Sequence, residues 1–238
     1  MQRNIWHPIT DYPDILVGQY VVPNFVSNSV AIRLSDNEYI LYSPGKSLLE
    51  SWPLVNSDDL KLHILMPNAY HYLGVKAWQK QFPNTKLYAS DLALKQLIKK
   101  KVFSNKATIH SVADLKLLLP NDMDITEPAG HRAGDIWLIK HNQNKTSLWI
   151  TCDSFLNYDR VSNQPVARFM QKLLGAAPGL KMSQVVKWFI LDDRKDFKKW
   201  LIKRIAIDNP VALIPSHGEV LISDDLSIRL SGLLKKRL

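Results

Sequence analysis

A change of rhythm along the chain constrains its fold more than any single motif does. Residues 15–22 are rich in β-branched and aromatic side chains, and residues 29–34 and 39–43 flank the polar turn Ser35-Asp36-Asn37-Glu38. This reads as a run of strands containing a hairpin, closed by the turn signal Ser43-Pro44-Gly45. A short helix is expected over residues 46–52, and then the period changes. Residues 61–66 form an apolar run of strand length that meets a break at Pro67-Asn68. A helical pattern over residues 71–82 follows, with Val75, Trp78 and Phe82 on one side. A short strand is expected at 85–89, then a helix capped by Asp91 and running to about residue 101.

Strands return at residues 122–127, 135–140 and 146–152, separated by Pro128-Ala129-Gly130 and by the polar turn at 141–145. Helices are expected at 166–174 and 197–207, and an apolar strand at 211–214 ends at Pro215. Leu226, Leu230, Leu233 and Leu234 mark a final helix. The order is strands, β-α alternation, strands, and β-α again. Such an order implies an α/β (α+β) class with two similar halves, each a sheet with helices outside, that is, a four-layer αββα sandwich. No repeat, low-complexity linker or clear boundary interrupts it, so a single domain over residues 1–238 is expected.

Composition narrows the function classes. With 46% hydrophobic and 22% charged residues, the chain is neither disordered nor fibrous in character. Its one cysteine, Cys152, excludes an internal disulfide framework and a cysteine-cluster zinc site. No apolar run follows Arg3 as in a signal peptide, and no stretch approaches the ~20 apolar residues of a membrane span. A cytoplasmic protein without a membrane partner is expected. The net charge of +9 raises the question of an anionic partner such as nucleic acid. The basic residues are dispersed, however. Lys198, Lys199, Lys203 and Arg204 fall between Phe197, Trp200, Leu201 and Ile205, as the polar face of an amphipathic helix does. Lys235, Lys236 and Arg237 close a helix where cations suit the macrodipole. A solvated surface is the simpler reading, and nucleic acid is not favoured.

The residues that could carry chemistry sit just past strand ends. His71 follows the run at 61–66, His131 follows 122–127, Asp153 ends 146–152, and His217 follows 211–214. Strand ends are where sheet proteins build sites. Imidazole and carboxylate together suit zinc, iron or manganese. A lone loop histidine is usually a satisfied polar side chain, but four such residues, each beside a Gly, Pro or small-residue turn, point to a metal site.

Five blocks in order resemble the metallo-β-lactamase-fold superfamily over essentially the whole chain. Residues 28–45 are similar to its first hairpin and turn. Ile64-Leu65-Met66-Pro67-Asn68-Ala69-Tyr70-His71-Tyr72-Leu73-Gly74 resembles the metal loop that usually reads His-x-His-x-Asp-His-x-x-Gly. Pro128-Ala129-Gly130-His131-Arg132-Ala133-Gly134, Trp149-Ile150-Thr151-Cys152-Asp153-Ser154 and Ile214-Pro215-Ser216-His217-Gly218 resemble the later histidine turn, the strand bearing the bridging aspartate, and the last histidine turn. The resemblance implies an αββα sandwich of that type.

It also implies what is missing. Met66 stands where the first histidine belongs, Asn68 at the second, and Tyr70 replaces the aspartate. The first metal position would keep His131 alone, whereas the second would keep His71 and His217, with Asp153 bridging. Methionine is a poor ligand for a hard ion, and Asn68 offers only a neutral oxygen. The expectation is therefore a degenerate branch with at most one divalent metal, zinc first, then iron or manganese, and with an empty site as the other outcome.

Neighbours on a strand face opposite ways, so Asp153 and Cys152 do not both face the site, and Cys152 is assigned to the core. Tyr70 is either a donor to a substrate oxyanion or a packing residue against Leu73. His7, His63, His110 and His141 match no site position and are assigned to structure or surface. Three protein ligands suit a catalytic zinc, with His131 as a fourth ligand or general base, and Asn68 and Tyr70 beside it. The implied activity is hydrolysis of an ester, thioester, lactone or phosphodiester in an unidentified small molecule. The alternative is an inactive binding or scaffold module for nucleic acid or another anion. Oligomeric state is not legible.

Overall fold

The structure is a computed structural model that describes residues 2–22, 25–54, 59–103, 108–182, 184 and 186–238. It divides into two compact units, Met1–Pro120 and Asn121–Leu238.

In unit 1 the strand-rich opening and the first β-α section share one sheet. Its strands are β1 (Trp6–Ile9), β2 (Tyr12–Val22), β3 (Phe25–Ser35), β4 (Glu38–Tyr42), β5 (Lys61–Leu65), β6 (Lys86–Tyr88) and β7 (Ile109–His110), seven in chain order. The first four pair antiparallel through short connections; β4 to β7 pair parallel. Parallel neighbours need a crossover, and α1 (Val75–Gln81) and α2 (Asp91–Lys99) supply two of them. A 3-10 turn occupies only Lys46–Leu48 of the expected helix. A short helix, α3 (Val112–Lys116), was not expected; Ser111 and Asp114 close its capping box.

Period-two patterning places Ala31, Leu41, Leu62, Ile64 and Leu87 in one core with Val75 and Trp78 of α1 and Ala93 and Leu97 of α2. Trp52 lies edge-on to Trp6 and Trp78, with ring centroids 5.3 and 5.5 Å away. Two of the three indole N–H groups are satisfied by backbone: Trp6 donates to the Leu48 carbonyl and Trp78 to that of Gly45, both at 3.0 Å. Ile32, Ile40, Tyr42 and Leu65, on the opposite parity, are buried as well.

Two boundaries differ from the sequence expectation. The helix expected from residue 71 begins at Val75. The Asn68 side-chain oxygen accepts from the Tyr70 amide at 2.8 Å, so a local turn competes with helix over residues 68–71. The cap of α2 is Ser90, whose hydroxyl accepts from the Ala93 amide at 3.2 Å; Asp91 is the first helical residue.

Unit 2 builds two sheets where one was expected. The larger has the order β15-β13-β10-β9-β8, from β8 (Met123–Thr126), β9 (Trp137–His141), β10 (Ser147–Ile150), β13 (Pro210–Ile214) and β15 (Leu221–Ile222). The smaller joins β11 (Leu156–Tyr158), β12 (Gly179–Lys181) and β14 (His217–Gly218). These three strands are too short to show periodicity in the sequence. α4 (Pro165–Leu173), α5 (Arg194–Asp208) and α6 (Leu226–Arg237) fall close to the expected spans. Phe197, Leu201 and Ile205 of α5 and Leu226, Leu230 and Leu234 of α6 join Trp137, Trp149, Phe155 and Leu213 in the core. Trp149 donates to the buried Asp208 carboxylate at 3.1 Å, which Arg204 also grips at 2.8 and 3.0 Å. Burial pushes the Asp208 carboxyl up, and the Arg204 guanidinium opposes that shift. Among the described residues no helix is long and apolar enough to cross a membrane.

Candidate functional site

In unit 1 the loop of interest leaves the C-terminal end of β5. Met66 is wholly buried within the core around Trp78, and its amide donates to the Tyr88 carbonyl at 2.9 Å. Asn68 is also buried, with its amide oxygen given to the loop's own backbone. Neither residue is presented as an open donor. Tyr70 is half-exposed; the Lys100 ammonium lies 4.0 Å over its ring and donates to the Ala69 carbonyl at 2.9 Å. That cation contact, rather than packing on Leu73, is what the structure records for Tyr70. Partial burial lowers the Lys100 pKa.

His71 differs from these three. Its Nδ1 lies 2.8 Å from the Ser43 hydroxyl, which is 3.3 Å from the Tyr20 hydroxyl. Ser43 sits in the left-handed region, φ 53°, and its carbonyl accepts from Ser29 at 2.7 Å. The first hairpin thus fixes the orientation of the imidazole through its Nδ1.

In unit 2 three strand ends carry the other candidates. After β8, Gly130 turns the chain at φ 73°, and its carbonyl accepts from the Asp192 and Asp193 amides at 2.8 and 3.2 Å. A Cβ there would stand 2.1 Å from the Asp193 carbonyl oxygen, so only glycine fits. His131 follows, buried, with its ring 4.7 Å from that of Phe197. Its Nδ1 is 3.3 Å from an Asp135 carboxylate oxygen, and its Nε2 is 3.5 Å from the Ser154 hydroxyl. Sequence reasoning passed over Asp135. Its only signal was a carboxylate four residues after a candidate histidine.

β10 and β13 run parallel, so their C-terminal ends finish together. The Thr151 amide donates to the Ile214 carbonyl at 2.9 Å, and that of Ser216 to the Cys152 carbonyl at 3.4 Å. This register brings an Asp153 oxygen to 3.3 Å from His217 Nε2, both side chains partly exposed. His217 is held on β14 opposite Leu156. Gly218 keeps φ 96° because a Cβ would meet the Asn157 carbonyl oxygen at 2.0 Å. Cys152 is fully buried, and burial pushes its thiol well up, aided by the Asp153 and Asp135 carboxylates. This agrees with its assignment to the core. Burial, with Asp153, likewise keeps Tyr158 protonated.

Of the predicted residues, Asp153 and His217 meet within unit 2, while His131 is engaged with Asp135 and Ser154. Of the histidines assigned to structure, His63 is buried between Glu38 at 2.9 Å and the Tyr88 hydroxyl at 3.0 Å.

No family model matches the chain, and no curated protein matches it in sequence. Solved structures do. The DIM-1 metallo-β-lactamase is 12% identical, with 98% of this chain and 99% of that one covered at a TM-score of 0.60. The FIM-1 metallo-β-lactamase of Pseudomonas aeruginosa in its mono-zinc form is 14% identical, covering 97% and 94% at 0.58. The Flv1 flavodiiron core of Synechocystis sp. PCC6803, a metal-soaked structure, is 15% identical at 0.57; this chain spans 60% of it. The chain has the metallo-β-lactamase fold. The resemblance seen in the sequence therefore holds at the level of the fold.

Proposed function

We propose that the chain is a metal-dependent hydrolase whose centre is reduced to one divalent ion, held by His71, Asp153 and His217. The observation that carries this is the 3.3 Å approach of Asp153 to His217 at two parallel strand ends, with both side chains partly open. Two imidazoles and one carboxylate fit zinc best, with iron or manganese next. Such an ion supplies Lewis acidity toward a carbonyl or phosphoryl oxygen. The protein's own residues do the rest. Ser43 orients His71 through Nδ1. His131, with an Asp135 carboxylate oxygen 3.3 Å from its Nδ1, serves as general base. Asn68 and Tyr70 remain as polar residues of the neighbouring loop, and Tyr70 donates to the substrate. The substrate is an ester, thioester, lactone or phosphodiester of a small molecule.

Metal analysis of untagged protein tests this reading. One equivalent per chain is expected, lost in His71→Ala and in His217→Ala and retained in Asn68→Ala. Two equivalents, or one that survives His217→Ala, would sink it.

A second reading has its own support. Met66 and Asn68 are built into the interior of unit 1, as they would be if the chemistry had been given up for an inactive binding or scaffold role. Protein without metal after reconstitution, and inactive on every ester class tested, would favour this reading.

A further inference from the structure

We infer that the segment from Arg160 to Leu191 docks the protein on an anionic membrane surface. In α4, Val166, Phe169 and Leu173 recur at the three- and four-residue spacing that sets them on one helix face. The π-helical turn Val186–Ile190 adds Trp188 and Phe189. These five side chains are between 53% and 73% exposed. Isolated exposed apolar residues need no explanation, but a helix stripe followed by a Trp-Phe pair marks an interaction surface.

The backbone of the pair is tied down by Arg132. Arg132 Nε donates to the Phe189 carbonyl at 3.1 Å, and the same guanidinium reaches that of Trp188. The Gln184 amide donates to the Leu174 carbonyl at 2.9 Å, which ties the turn to the end of α4.

Charge identifies the occupant. Between Arg160 and Leu191 the sequence carries Arg160, Arg168, Lys172, Lys181 and Lys187, and no Asp or Glu. Arg160, Arg168 and Lys172 are exposed. Apolar side chains including Trp and Phe, set beside the exposed cations Arg160, Arg168 and Lys172, are the composition of a surface that lies in the interface of anionic lipid, and the nearest acids, Asp159, Asp192 and Asp193, lie just outside the segment. A second copy of the chain would bring cations against cations. A nucleic acid would use flat aromatic platforms, and Val166 and Leu173 offer no π-face for stacking. The absence of a spanning helix among the described residues does not bear on binding at a surface.

The test uses the full chain with vesicles of phosphatidylcholine alone or mixed with phosphatidylglycerol. Sedimentation with the mixed vesicles is expected, falling as salt rises, with little on phosphatidylcholine alone. Phe169→Ser with Trp188→Ser should lower binding about tenfold or more, since each is a whole apolar anchor. Arg168→Glu with Lys172→Glu should abolish the preference for phosphatidylglycerol. Tryptophan emission should shift to the blue on mixed vesicles, and that shift should be lost in Trp188→Phe, which keeps the apolar bulk. Unchanged vesicle binding in the Phe169/Trp188 variant would overturn the proposal. So would a dimer in solution, or an oligonucleotide complex, that the same two substitutions dissolve.

Discussion

The β5–α1 loop of unit 1 and the strand-end turns of unit 2 occupy equivalent places in the chemistry read from the sequence, yet they are built differently. In unit 1, Met66 is sealed into the core and Asn68 is spent on the loop's own backbone, so only His71 keeps an oriented imidazole. In unit 2, Asp153 and His217 stay partly open at parallel strand ends, and His131 has a carboxylate at its Nδ1. A polar side chain stays open where a tight turn or a parallel register holds it there, and is closed off where burial or a local hydrogen bond satisfies it.

The largest expected effect breaks the comparison outright. His217→Ala should remove bound metal, a loss exceeding the roughly 10–100-fold that an outer partner costs. Asn68→Ala should leave metal content unchanged. If both variants lose metal equally, as read by elemental analysis, the contrast between the two regions is false. Asp135→Asn sharpens it: a loss of about 10–100-fold in activity is expected in a hydrolysis assay.

Stability separates the regions next. Met66→His should not create a ligand. It should place an imidazole in the core of unit 1 and destabilise by about 1–3 kcal/mol in denaturant titration. Gly218→Ala should cost a similar ~1–3 kcal/mol, because a side chain is forced into φ 96° against the Asn157 carbonyl. It should also lower metal affinity, since the turn carries His217, whereas Met66→His should not. Ser43→Ala should be milder, about 1 kcal/mol for one hydrogen bond.

The smallest effect concerns Cys152. Burial raises its thiol, so the thiolate is disfavoured in the folded state. Raising the pH through the ordinary thiol range, near 8.5, should leave it unlabelled by a thiol reagent. Labelling should appear only once the chain unfolds. Rapid native labelling would reopen Cys152 as a ligand in place of Asp153.

Much of the fold could be read along the chain because burial writes a period into it. The strand patterns at 15–22 and 211–214 and the leucine spacing of the last helix correspond to β2, β13 and α6. The small β11, β12 and β14 strands could not be read, since two or three residues carry no period and their partners are remote in sequence. The start of α1 was misread because Asn68 bonds its own loop, a competition that apolar spacing does not record. Asp153 and His217 were found by their places after apolar runs. Asp135, Ser154 and Ser43 were not, because a short polar side chain announces nothing until a partner faces it.

By itself, then, the sequence determined the class of fold and the strand-end positions of His71, His131, Asp153 and His217. These are local properties of residue type and spacing. Only the tertiary structure decided that Asp153 meets His217, that Asp135 backs His131, that Ser43 holds His71, and that Met66 belongs to a core. Each of those depends on which strands pair and in what register, because the turns that carry these side chains start from the strand ends.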